Sequence, residues 1–389
     1  MGRGRGGLLL LLCLALAGAA IAACGSEPPD TPDWGVLEIE PATDVIIGVA
    51  GLEALAPAAR NQAENALALA FTDTFEWAGH RLGTVQAPGL CGEAARQLVA
   101  TAGLVAVVLF HCDDQLEEAL SLLQGAHVMT VLVTDHGPLP VAGAPVVRLS
   151  WSDADAAAFQ GGFLSRYLAA EGVLIVRGES EAAQGAVEAF RLGQKSGGVR
   201  ILGETVLAAA DPADATAAEI RRSEAPALYL ALEPAEALAL INALTEGGST
   251  APILLAPFTS DLDLFGGRLD GAAEGVYLTR VRAAPEESER FDAWRGRYTD
   301  RFDVPLQEDD LAPFLYDGLT ALWRAVPRVA AVEIDGTVRV DRYRLYVAVR
   351  DGAADGVTGP LRFTARGDRA GAILVDILQV RGADLVLVQ

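Results

Sequence analysis

Acidic side chains recur in the short segments that follow the apolar runs of this chain, and aromatic residues accompany them. Asp113, Asp135, Glu181 and Glu233, with Phe258 and Tyr316, are the residue types best suited to chemistry. Several carboxylates around an aromatic ring suit an amine or another cation, through charge pairing and cation–π attraction worth about 0.5 to 2 kcal/mol each when desolvated. The competing reading is that loop acids point to water, as most acidic residues do. His111, Asp113, Asp135 and His136 also offer two imidazoles and two carboxylates, a donor set that could satisfy zinc, but their spacing matches no recognised ligand motif. Ser180 and Ser260 lack a nucleophile-elbow context, and the chain has neither a phosphate-binding glycine loop nor a His-Glu helix pair. An enzyme is therefore not expected, and the sequence calls for no cofactor and no metal.

The elements that must position these residues follow a regular alternation. Apolar runs at Val45 to Val49, Leu104 to Phe110 and Val128 to Val133 predict strands, and the Ala-rich stretches Pro57 to Phe75, Gly92 to Ala102 and Gln115 to Gln124 predict helices. A second series starts after Ser150, with helices over 154–170, 181–195 and 235–246 and strands at 173–176, 199–206, 227–232 and 253–255. Strands of continuous apolar character alternating with helices imply parallel sheets covered on both faces. The expected fold is α/β, with two doubly wound parallel-sheet lobes. A strand from Gly275, helices over 287–302 and 311–325, and two β-rich runs at 372–380 and 384–388 leave no room for a third domain. They are expected to complete the first two, so that the chain crosses between lobes several times and forms a multi-strand hinge. The expected division is 45–149 plus 278–370 for the first lobe and 150–277 plus 371–389 for the second.

The amino-terminal segment is an address. Arg3 and Arg5 precede an apolar stretch from Leu8 to Ala23, and Ile21-Ala22-Ala23-Cys24 follows the bacterial lipobox pattern. This predicts a signal peptide over 1–23, lipid on the Cys24 thiol, and a Pro- and acid-rich tether over 24–44. The stretch is short for a span of a bilayer core of about 30 Å. With a net charge of −22, phosphate backbones and anionic lipid surfaces are expected to repel the chain, and nucleic acid is not an expected partner. Of four cysteines, Cys13 leaves with the signal and Cys24 carries lipid. Cys91 and Cys112 remain, and an even pair in an exported, oxidising setting suggests one disulfide, where the alternative is two buried thiols.

Four features resemble the branched-chain amino-acid (Leu/Ile/Val-type) family of bacterial ABC-transporter solute-binding proteins. Cys91-Gly92-Glu93-Ala94-Ala95 opens a helix and Cys112 ends the next strand, similar in order and spacing to the family's disulfide. Phe159-Gln160-Gly161-Gly162 followed by Tyr167 resembles the helix that starts the second lobe, and Leu315-Tyr316-Asp317-Gly318 resembles a late helix. Gly356-Val357-Thr358-Gly359-Pro360-Leu361-Arg362-Phe363 with Gly367-Asp368 resembles the terminal turn and strand. The resemblance spans Val45 to Val380 and implies a type I periplasmic-binding fold with a ligand cleft between the lobes.

In such a fold the ligand sits outside the carboxyl ends of the strands. That selects the loops 50–54, 111–114, 134–137, 177–182, 232–234 and 257–260. The resemblance implies a hydroxyl residue after the strand-end cysteine to hold a ligand carboxylate, and here that place is Asp113. A carboxylate facing a carboxylate is repulsive in a desolvated cleft. Thr134 can supply the next hydroxyl, an expected aromatic near Glu181 is replaced by Ala182, and an expected acid falls near Phe258. The ligand-binding set expected on this reading is Asp113, Thr134, Asp135, Glu181, Glu233 and Phe258.

The expected function is a lipid-anchored, extracytoplasmic, monomeric solute-binding component of an ABC importer. It would capture an amino acid or related amine or amide and deliver it to a permease, with no catalysis. The alternative is a sensor or accessory lipoprotein of the same fold, and a third is a cleft retained only as an interaction domain.

Overall fold

The computed structural model describes residues 33–389 apart from 56, 73–76, 78, 111, 113–114, 134–143, 152, 209–211, 261, 268–272, 286, 307–310, 353, 372–373, 383 and 389. The signal segment and Cys24 lie outside the described residues. Strand β1 (Val36–Ile39) comes first. It pairs antiparallel with Val338–Asp341, so residues expected in the tether belong instead to the folded body. The isolated Val36-Leu37-Glu38-Ile39 run is too short to show periodicity, and the strand exists because a distant hairpin offers it a partner.

The first main sheet begins with β2 (Val45–Ala50), whose six residues are all buried. Around it lie β3 (Leu82–Gln86), β4 (Leu104–Phe110), β5 (Met129–Val133) and β6 (Val146–Arg148), in the order β3-β2-β4-β5-β6. All neighbours are parallel. Helices on both faces explain the unbroken apolar character of β2, β4 and β5. On one face α2 (Cys91–Val99) and α3 (Leu116–Gly125) pack Leu98, Ala119 and Leu123 against Ile46, Val107, Leu109 and Leu132. The other face receives α1 (Pro57–Thr72) and a late helix, described below.

The second sheet contains β7 (Gly172–Arg177), β8 (Arg200–Val206), β9 (Leu228–Ala231), β10 (Ile253–Leu255) and β11 (Tyr277–Val281), mutually parallel where they pair. Helices α4 (Asp153–Arg166) and α5 (Glu181–Gly197) cover one face, against Val173, Ile175, Tyr229 and Leu254. Helices α6 (Ala213–Ser223) and α7 (Pro234–Glu246) cover the other, against Val176, Leu230, Leu255 and Leu278. A short α8 (Leu262–Gly267) follows β10. The expected division at 277/278 falls inside β11, whose whole length pairs in the second sheet, so this strand goes with that sheet.

The chain then returns to the first sheet with α9 (Glu289–Phe302) and α10 (Ala312–Val329). Gly318 lets α10 approach closely, because an added Cβ would lie 3.0 Å from Leu149 and 3.2 Å from Val131. β12 (Ala330–Val332) and β13 (Val338–Asp341) complete the small sheet with β1. After α11 (Arg342–Arg350) and the hairpin β14 (Ala354–Gly356) and β15 (Gly359–Leu361), the chain crosses once more. β16 (Val375–Arg381) and β17 (Asp384–Leu387) join the second sheet antiparallel, giving the order β17-β16-β11-β10-β9-β7-β8. The second sheet is therefore mixed at one edge, where the sequence predicts parallel strands, because β16 enters antiparallel to β11 and β17 pairs antiparallel with β16.

The chain passes between the main sheets three times, after β6, after β11 and after β15. Two of these passages meet at a buried ionic network. The Asp317 carboxylate on α10 accepts hydrogen bonds from the Val357 N–H at 2.8 Å, the Thr358 N–H at 2.9 Å and the Thr358 hydroxyl at 2.6 Å. Arg369 donates to the Leu149 carbonyl at 3.1 Å, the Thr358 hydroxyl at 3.0 Å and the Thr358 carbonyl at 2.6 Å, with Trp151 and Phe314 rings 4.8 and 5.6 Å from its guanidinium carbon. Burial pushes the Asp317 carboxyl upward, opposed by the Thr358 and Val357 donors and by Arg369. Burial likewise brings Arg369 down to about 10, opposed by Asp317. Removing one member of such a pair leaves uncompensated buried charge. Asp317→Ala is expected to lower the unfolding free energy by about 3–5 kcal/mol, read by urea denaturation, and an unchanged midpoint would show that the network is not coupled to folding.

Candidate functional site

Because the strands within each parallel set run together, the loops that leave their carboxyl ends gather along one edge of each sheet. On the first sheet that edge is braced covalently. The disulfide between Cys91 and Cys112 joins the start of α2 to the residues after β4, with Cα atoms 5.7 Å apart. Gly51 follows β2 at φ +95°, and an added Cβ would lie 1.8 Å from the Phe110 carbonyl oxygen and 3.1 Å from the Cys91 sulfur. Only glycine fits there, by conformation and by space. A turn over Leu52–Ala54 follows, held by Arg60, which donates from Nε to the Leu52 carbonyl at 3.1 Å and from a terminal nitrogen to the Glu53 carbonyl at 2.5 Å. The Glu53 carboxylate accepts from the Gly89 N–H at 2.8 Å, and the Gln115 side chain accepts from the Gly92 N–H at 3.0 Å.

The edge of the second sheet is braced by hydrogen bonds. Ser180 caps α5, its hydroxyl accepting from the Ala183 N–H at 3.2 Å. Buried Thr259 ties the ends of β9 and β10 together, its hydroxyl accepting from the Leu232 N–H at 3.2 Å and donating to the Leu232 carbonyl at 2.8 Å. The Ser260 hydroxyl donates to the Ala256 carbonyl at 2.9 Å and accepts from the Thr279 N–H at 3.0 Å, so it is committed to the backbone. Fully buried Gln160 on α4 donates to the Leu255 carbonyl at 2.9 Å and to the Thr279 hydroxyl at 2.6 Å, and accepts from the Tyr229 hydroxyl at 3.3 Å.

Of the residues expected to hold a ligand, Asp113, Thr134 and Asp135 lie outside the described residues, as do His111 and His136 of the metal reading. Glu181 opens α5, and its side chain is likewise outside the description. Glu233 is exposed at the amino-terminal cap of α7. Phe258 is half-buried in the turn Pro257–Thr259 and packs on the core under α4 and α5. Glu233 and Phe258 thus share one edge, at the ends of the adjacent strands β9 and β10. Tyr316 does not belong to this edge. It is buried on α10, its ring 5.6 Å from Trp294 on α9, and its hydroxyl accepts from Arg297 at 3.1 Å. Its helical face, set by packing against α9, decided this.

The sequence reading placed Arg177 in a site loop without giving it a role, and it passed over Glu236 on the same edge. Arg177 ends β7, and its Nε donates to the Glu204 carboxylate at 2.5 Å, with Arg191 bonded to the other oxygen of that carboxylate. Glu236 lies one turn into α7, with its carboxylate 3.6 Å from the position a Cβ would take on Gly178. The signal for Glu236 was available, since first-turn acids face the loop that precedes their helix. Arg177 and Arg191 share the one Glu204 carboxylate, while Glu179, Glu233 and Glu236 add three acids to the described part of this edge.

Two α/β units with parallel strand ends, joined by three passages of the chain, define a two-lobed binding protein fold. Residues 85–383 match the model of the family described as periplasmic binding protein, and the chain belongs to that family. No curated protein sequence matches it. Among solved structures, an ABC transporter substrate-binding protein from Desulfitobacterium hafniense in complex with Leu is similar at 18% identity, covering 89% of this chain and 100% of that one, with a TM-score of 0.69. A leucine binding protein from Thermotoga maritima is similar at 16% identity, with 88% and 97% covered and a TM-score of 0.68. A solute binding protein of an ABC transporter from R. palustris, in complex with benzoate, is similar at 15% identity, with 89% and 95% covered and a TM-score of 0.64. The fold is that of the type I periplasmic-binding proteins.

The disulfide closes a loop with a sequence separation of 21 residues. Replacing both cysteines by serine is expected to reduce stability by about 2–4 kcal/mol. Denaturation of the oxidised and double-serine forms measures the difference, and coincident curves would mean that the bond contributes nothing to this rim.

Proposed function

We propose that this chain is an extracytoplasmic solute-binding protein that closes two lobes around a small polar ligand. The lobes are 45–149 with the segment after β11 through residue 370, and 150–281 with 371–389. The observation that carries the reading is the triple passage of the chain between two sheets whose strand-end edges are internally braced. Rigid edges on either side of a few connecting segments favour closure by rotation at those segments. A ligand drives closure only through contacts that are better in the closed form.

The ligand class we favour is an amine or another organic cation, in place of an ordinary aliphatic amino acid. The acids Glu179, Glu233 and Glu236 at the second lobe's edge support this, with Arg177 bound by Glu204 and Phe258 at the end of the neighbouring strand. Asp113, Thr134 and Asp135 would complete the site from the first lobe. Leu and benzoate in the similar structures indicate that the fold accepts chemically different ligands. Lipid on Cys24 would hold the protein at a membrane, from which a monomer hands its ligand to an ABC permease. Among the described residues no helix is long and apolar enough to cross a membrane. Non-catalytic binding is the activity this reading requires.

A thermal-shift panel of amines, amides, amino acids and short peptides tests it. Ligand at 100 times its dissociation constant stabilises by about 2.7 kcal/mol, and Glu233→Gln is expected to reduce the response to cations. A larger shift with aliphatic amino acids than with amines would sink the cation assignment. A flat response to every class would remove the solute-binding reading.

A further inference from the structure

Four arginines converge on a groove between α9 and α10, in a protein whose net charge is −22. The groove encloses about 630 Å³, and Arg290 and Arg297 from α9 face Arg324 and Arg328 from α10 across it. Trp294 and Tyr316 contribute to its wall, and β14 with Val357 closes one end. It is distinct from the strand-end edges, to which Tyr316 and the two helix faces do not contribute.

Two carboxylates line the groove, and both are already matched. Asp317 is saturated by the Val357 and Thr358 donors and approached by Arg369. Asp355 lies 3.6 Å from Arg290, which also donates to the Asp355 carbonyl at 2.9 Å. Arg297 donates to the Tyr316 hydroxyl at 3.1 Å. Arg324 and Arg328 are exposed and have neither a hydrogen bond nor an ion pair with any described residue. Their i, i+4 spacing puts them on one helical face, with Cβ atoms about 5–6 Å apart.

We infer that this groove is an anion site for a phosphoryl dianion, presented either by a soluble phosphate monoester or by the headgroup of a monoester lipid. Two guanidinium forks without carboxylate partners leave two positive charges, which a dianion neutralises and a monocarboxylate does not. Planar guanidinium groups match tetrahedral phosphoryl oxygens in bidentate geometry. The volume exceeds that of a bare ion, so the organic part of a monoester has room beside Trp294 and Tyr316. Repulsion from the acidic remainder of the surface makes the affinity depend on this local cluster rather than on a general field.

The test uses the full-length chain. Thermal melts are recorded with inorganic phosphate, with glycerol phosphate and with sodium chloride at matched ionic strength, beside co-flotation with phosphatidic acid or phosphatidylcholine vesicles. The soluble phosphates are expected to raise the melting temperature by a few degrees above chloride. The joint change Arg324→Gln and Arg328→Gln is expected to weaken binding by about tenfold or more. Flotation with phosphatidic acid alone, lost in the same variant and without any response to soluble phosphates, would support the site and assign its source to lipid. A response no greater than that to chloride together with no flotation, or binding unchanged in the variant, would overturn the inference. Arg328 lies in the last turn of α10 and also faces the negative end of that helix. If the joint variant does not fold, Arg324→Lys supplies the comparison, since it keeps the charge and removes the fork. Weaker phosphate binding is expected there, and unchanged binding would count against the site.

Discussion

A carboxylate removed from water must find donors that cannot move away, and in this protein Asp317 imposes that condition on three separate parts of the chain. The turn between β14 and β15 supplies backbone and hydroxyl donors, and Gly356 leaves the space for them, since an added Cβ would lie 2.2 Å from the Asp317 oxygen. Arg369 then links the same turn to the Leu149 carbonyl, while its guanidinium lies between Trp151 and Phe314. Leu149 and Trp151 begin one passage between the sheets, and Arg369 begins another. One ionic cluster therefore sets where both passages start. A buried ionic group of this kind adds little net stability over an apolar replacement. Its contribution lies in allowing one arrangement of helix, turn and passages, because any other leaves charge unmatched.

Around that pivot the two sheets present edges built in different ways. The first is braced by a covalent bond and by a glycine that no other residue can replace. The second is braced by small hydroxyls and a buried amide, which bind strand ends to one another without offering those groups to a ligand. Both devices tie strand ends within one sheet to one another. The Ser180 and Ser260 hydroxyls serve the same bracing, since each is bonded to backbone.

Charge is distributed with the same selectivity. Arg280 and Arg282 converge on buried Asp376, which joins the start of β16 to the end of β11, and Arg177 and Arg191 converge on Glu204. These arginines are engaged by structural carboxylates. Arg324 and Arg328 are not, and the facing of α9 and α10 brings them to the groove that they line with Arg290 and Arg297.

The alternation of the main strands and helices and the pairing of Cys91 with Cys112 were readable from periodicity, spacing and resemblance, whereas β3, β6, α6 and α11 were not. Those properties are local, because burial on one face or both is written into the alternation of apolar residues. Partner choice is not local. The Val36–Ile39 strand, the antiparallel edge made by β16 and β17, and the place of Tyr316 against α9 depend on residues tens to hundreds of positions away. The carboxyl groups gave the least reliable signal. Nothing in their sequence distinguishes Asp317, buried among fixed donors, from Glu233, exposed at a helix cap. The sequence alone determined which segments fold and what they bury. Tertiary structure decided which charges are matched, since that depends on what the folded chain brings within hydrogen-bond reach.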